Sequence, residues 1–145
     1  MKNWSKKKIV AILCVALSLF VSGIVIASDE ESVYRLAAAV AQIMARTDYD
    51  VRDNVQGRCL RQGGTYTFRT TLFSGYEYVL IGAGDSSVRD LDLILYDENW
   101  HQVDRDSKAD NVPIVTVSPR WSGTFYVKIK MYSGSGCSNV AVLYR

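Results

Sequence analysis

Carboxylates alternate with large apolar side chains in one stretch, DLDLILYDENWHQVDRDSKADN, residues 90–111, which holds seven acidic residues. Such a density of oxygens suits a hard cation, since calcium takes roughly six to eight oxygen ligands at once. The candidate calcium ligands are Asp90, Asp92, Asp97, Asp104 and Asp106, with Asn99 and Asp110 close by. The segment DENWHQ echoes the start of an EF-hand loop but lacks that loop's glycine and its terminal glutamate. A plainer reading needs no cofactor. Alternation along a strand puts Leu91, Leu93 and Leu95 on one face as a core row, and Asp90, Asp92, Ile94 and Tyr96 on the other. The aspartates then enter the strand from its wet side.

Catalytic chemistry finds less to work with. His101 is the only histidine, which excludes a zinc centre built on two or more imidazoles. A serine triad would have to use His101, and no serine stands in a G-x-S-x-G elbow. A glycosidase pair needs one carboxyl raised by an apolar pocket, yet Glu77 alternates outward from Tyr76 and Tyr78 and the other acids fall in turns. A hydrolase is therefore the least favoured class, and the chain reads as a non-enzyme. The candidate ligand contacts are Trp100 and His101, at a turn tip, and Trp121. Trp121 precedes a Ser-Gly turn and better suits closing the end of a sandwich, since large aromatics mostly serve packing.

The chain begins with Lys2, Lys6, Lys7 and Lys8, followed by an apolar run over residues 9–27. Val25 and Ala27 occupy the small-residue cleavage positions before the polar Ser28-Asp29-Glu30-Glu31, the pattern of a signal peptide over 1–27. The run is also nearly long enough to span a bilayer as an uncleaved anchor. On either reading residues 28–145 lie outside the cytoplasm, periplasmic or secreted, and membrane contact follows only if the leader is retained. Four of the 17 basic residues lie in the leader, so the rest carries 13 basic and 15 acidic residues. They are scattered along the chain, which gives no support for nucleic-acid binding. Cys14 sits inside the apolar run, unlike a lipid-attachment cysteine. Cys59 and Cys137 remain, an even pair for which an oxidising compartment predicts a disulfide.

Residues 29–47 predict a helix. Val33, Leu36, Ala37, Val40, Ile43 and Met44 recur at helical spacing, and Ser28 with Glu31 has the form of a capping box. The narrow stripe either docks on the rest of the domain or serves a partner. Residues 48–64 read as a loop or a short edge strand ending at Gly63-Gly64, so 28–62 form a helix and connecting segment. From 63 to 145 about seven alternating runs follow, separated by turn residues. They predict an antiparallel β-sandwich, jelly-roll-like, with one N-terminal helix.

One set of residues resembles a known family. Asp90-Leu91-Asp92-Leu93, then Ile94-Leu95-Tyr96, then the turn Asp97-Glu98-Asn99, and finally Trp121-Ser122-Gly123-Thr124-Phe125-Tyr126-Val127 are similar to the core of the bacterial pre-peptidase C-terminal domain. The resemblance covers roughly residues 63–144. It implies a secreted β-sandwich module of the kind that accompanies proteases, binds collagen or responds to calcium. The pattern's turn glycine is replaced here by Trp100. A tryptophan at positive φ would be strained, so the turn is expected to be longer or of another type. The reading as a whole is an exported, non-catalytic binding or accessory module whose partner is a protein or an extracellular polymer. The alternative is a structural envelope protein that assembles through its helix.

Overall fold

In the computed structural model, residues 30–145 are described. The expected signal peptide and Ser28 lie outside them, so the expected cleavage site and the expected capping serine do as well. Helix α1 covers residues 30–44. Eight strands follow: β1 (Asp50–Leu60), β2 (Thr65–Leu72), β3 (Tyr78–Gly84), β4 (Val88–Tyr96), β5 (Gln102–Asp106), β6 (Ile114–Val117), β7 (Gly123–Gly134) and β8 (Gly136–Tyr144). They form two four-stranded antiparallel sheets, ordered β1-β8-β3-β6 and β2-β7-β4-β5. The sandwich is as predicted, with one strand more than the seven runs. The extra strand is β1, in the segment read as loop or short edge strand, and it is indeed an edge.

The main core lies between the sheets. Leu91, Leu93 and Leu95 of β4 meet Leu80, Val140 and Val142 of the facing sheet, and Phe125, Val127, Ile129 and Met131 of β7 complete it. The leucine row thus faces inward as alternation requires. A second core lies on the outer side of the first sheet, where Leu36 and Val40 of α1 cover Val79, Ile81, Ala83, Ala141 and Leu143. This explains why β3 is buried along its whole length: both of its faces are covered, so its sequence, YVLIGAG, reads as a continuous apolar run.

The helix docks by a face slightly rotated from the predicted one. Ser32, Leu36 and Val40 are buried, whereas Val33 and Met44 remain exposed. Ser32 accepts a hydrogen bond from Asn139 of β8 at 2.7 Å. That buried polar pair fixes the rotation, because an unpaired amide there would be costly. Cys59 and Cys137 form the expected disulfide and stand opposite one another in the β1–β8 register.

Candidate functional site

The β4–β5 hairpin carries most of the residues singled out by chemistry. Its foot is Asp97, a buried carboxylate. Asp97 Oδ1 accepts from the backbone amides of Asn99 at 2.8 Å and His101 at 2.9 Å, and Oδ2 lies 3.2 Å from His101 Nδ1. The Asp97 amide donates to the His101 carbonyl, and the Trp100 amide donates to the Asp97 carbonyl. Burial pushes the Asp97 carboxyl up, but the two amides and the imidazole outweigh it and hold the group below the ordinary aspartate value.

This arrangement is a tight turn whose last loop residue enters the left-handed region, the place where hairpins of this length favour glycine. Trp100 occupies it with φ of 63°, the one non-glycine residue at positive φ among those described. The expectation of a longer or different turn is therefore corrected. The Asp97 carboxylate closes the loop through three contacts, and the tryptophan accepts the unfavourable backbone conformation. Its indole lies flat on Tyr126 of β7, centroids 4.2 Å apart and planes 7° from parallel, with Tyr96 of β4 at 5.7 Å. The residue is still 55% exposed. It thus presents one apolar face to solvent on the outer side of the β2-β7-β4-β5 sheet.

His101 is exposed beside it, its Nδ1 in contact with Asp97. Trp121 takes another role. Its Nε1 donates to Glu98 Oε2 at 2.8 Å, and its ring runs alongside Phe125. It ties the hairpin to the end of the sandwich, and no ring contact joins it to Trp100.

The five aspartates are not gathered into one set. Asp104 and Asp106 point between the sheets at their open edge. Asp104 Oδ2 accepts from the Thr116 amide at 2.7 Å, and Asp106 Oδ2 from the Ile114 amide at 2.9 Å. These are the outward amides of edge strand β6, which has a neighbouring strand only on its β3 side. Asp90 and Asp92 lie on the opposite face of that sheet, and Asp97 serves the hairpin. Among the described residues no group of three or more His, Cys, Asp or Glu side chains converges as a metal cage. The wet-edge reading of Asp92 is also corrected: Asp92 and Ile94 are buried. Arg105, opposite Ile94 across the β4–β5 ladder, reaches back to Asp92 at 3.1 Å and covers both. Asp90 is half-buried, and its Oδ1 is buried without a partner. Burial raises its carboxyl above the ordinary value, and Asp92, Asp110 and Asp106 add to this, against a smaller pull from Lys130.

The outer face also holds residues that the linear reading passed over. Tyr126, Lys128, Lys130 and Tyr132 alternate along β7, with Arg69 opposite Tyr126 and Thr67 opposite Lys128. The signal was present in FYVKIKMY, whose alternation puts both lysines beside the tyrosines on one side. No protein-family model matches the chain, and no curated protein matches it.

Proposed function

We propose that this protein is an exported, non-catalytic binding module whose contact surface is the Trp100 hairpin and the sheet face beneath it. The carrying observation is Trp100 itself. A left-handed conformation costs a non-glycine residue about 1–2 kcal/mol, and here the residue that bears it leaves an indole face open to solvent. Strain held at an exposed aromatic is the signature of a site that keeps a ring in place for contact. The resemblance of residues 63–144 to pre-peptidase C-terminal domains supports the same reading. So does the disulfide, which belongs to oxidising compartments.

Cosedimentation of the exported chain with insoluble extracellular polymers (cell-wall polysaccharide, chitin, collagen) tests it, with Trp100→Gly as the comparison. Retention on at least one polymer, lost in the variant, is the expected result. Equal behaviour of both proteins on every polymer would remove the hairpin as the contact surface.

A second reading, assembly through the helix, is favoured by one feature. Val33, Ala37, Val40 and Met44 of α1 line an apolar groove of about 460 Å³ with Val51 of β1. Sedimentation velocity over a range of concentrations, repeated on Met44→Glu, distinguishes this reading from the first.

A further inference from the structure

The cations of the outer face set the class of ligand. On β7, Lys128 and Lys130 stand two residues apart on the side that carries Tyr126, and Arg69 of β2 faces Tyr126 across the ladder. Neighbours along a strand face lie about 7 Å apart and across it about 5 Å, so Arg69 and Lys128 border the stacked indole and Lys130 lies one position further along β7, about 14 Å from Tyr126. None of the three forms an ion pair with a carboxylate among the described residues. Several carboxylates elsewhere on the surface are engaged: Glu77 and Asp48 with Arg145, and Glu98 with Trp121. On this face Asp92 is buried under Arg105, and Lys130 is drawn over the Tyr132 ring at 4.9 Å. Beside the lysines, Thr65 and Thr67 are exposed on β2, opposite Lys130 and Lys128. Asp92 stands opposite Lys130 in the β4–β7 ladder, and Asp90 on the same face also feels that lysine, so these two acids offset part of the charge. The patch therefore combines a flat apolar ring, an excess of positive charge around Arg69 and Lys128, and a row of hydroxyls.

Resting on the reading of Trp100 as a contact surface, we propose that the outer face of the β2-β7-β4-β5 sheet binds an acidic polysaccharide, one sugar ring stacking its C–H face on Trp100 while anionic substituents of that ring and of the next residues along the chain meet Arg69, Lys128 and Lys130. A pyranose ring has an apolar C–H face that suits the exposed indole, and its hydroxyls match Thr65 and Thr67. Carboxylate or sulfate groups supply the charge that the three cations lack, through charge-assisted hydrogen bonds. Single-stranded nucleic acid combines rings with negative charge too, but its binders line up several stacking platforms along a strongly basic groove. Here the exposed rings of this face are Trp100 and Tyr132, separated by the two lysines rather than lined up as successive platforms, and the chain beyond residue 27 carries more acid than base. The disulfide, moreover, belongs to an oxidising compartment.

Affinity electrophoresis of the exported protein through gels containing polygalacturonate, neutral dextran or oligo-dT tests the proposal, with thermal unfolding as the check on folding of each variant. Retardation is expected in polygalacturonate, weakening as salt rises. Lys128→Ala with Lys130→Ala, and separately Arg69→Ala, should weaken it by about tenfold, as should Trp100→Gly. Equal retardation in dextran, lost in Trp100→Gly but kept in the charge variants, would overturn the acidic ligand and leave the contact surface standing. Tighter binding of oligo-dT than of polygalacturonate would overturn the polysaccharide. Polygalacturonate binding unchanged in Trp100→Gly would sink both the ligand and the platform. Absence of retardation in any gel would end the ligand proposal, while polymer cosedimentation still decides the platform.

Discussion

Replacing Trp100 with glycine removes two opposing contributions to stability. The left-handed backbone is relieved by about 1–2 kcal/mol, while the stack on Tyr126 loses about 0.5–1.5 kcal/mol. The variant should therefore unfold within about 6 °C of the parent, so that any weakening of the proposed binding is not a folding defect; a thermal scan checks this. The two neighbouring aspartates should part company in the same assay. Asp92→Asn weakens a buried charge-assisted bond to Arg105 and should cost about 1–3 kcal/mol. Asp90→Asn removes a raised carboxyl among like charges and should hold or raise the melting temperature. The pH signs follow. The Asp90 carboxyl binds its proton more readily folded than unfolded, so its contribution falls as pH rises from the ordinary aspartate value through its folded value. Asp97 is the reverse: its stabilisation is complete above the ordinary value and is lost as pH falls through its lower folded one. Acid unfolding of Asp97→Asn should lack that last loss. Sequence alternation put Asp90 and Asp92 on the right face of the strand. It could not show that an arginine 13 residues further on folds back over one of them.

At the scale of elements, the exposed edge of β6 is closed by side chains rather than by a strand. Edge amides invite pairing with another chain, and inward-pointing charges are one defence. Asp106 is buried and holds the Ile114 amide, so Asp106→Ala leaves a donor unsatisfied at the sheet margin. A loss of about 1–3 kcal/mol is expected by urea titration, with faster aggregation on warming. Asp104→Ala, more exposed, should cost less. The aspartates that looked like cation ligands in the sequence thus include two whose observed work is edge closure. Their spacing, two residues apart on one side of a strand, was legible, but the identity of the facing amides depends on how the second sheet lies. The helix shows a similar limit. Its existence and its core contacts Leu36 and Val40 followed from periodicity, whereas the turn of the stripe that buries Ser32 follows from Asn139, more than a hundred residues away. Strand β1 was half legible: its Gly-Gly end was clear, but its polar composition resembled a loop because one side has no neighbouring strand.

Across the whole molecule, the order of strands places sequence-distant segments side by side, and this is where the linear reading stops. Strand β1 borders only β8, and their ladder carries bulges between Val51 and Asp53 and between Val55 and Arg58. Two further ties cross to the other sheet: Arg52 donates to the Thr71 carbonyl, and Arg58 lies over the Tyr66 ring at 4.5 Å. The disulfide is the covalent tie, joining residues 78 apart in sequence. In the chain-entropy account a bridge of that span stabilises by roughly 4–5 kcal/mol, and removal of native bridges from small domains typically costs about 2–5 kcal/mol. The loss should be uneven. Strands β3, β4 and β7 are held by neighbours on both sides or by the central core, whereas β1 is an interrupted edge. Cys59→Ser should therefore lower global stability and, below the unfolding transition, speed amide exchange in β1 first, while β4 and β7 keep their protection. Hydrogen exchange read by mass spectrometry on the variant and the parent decides it. Equal acceleration in every strand would mean that the bridge acts only on the unfolded chain and does not pin the edge.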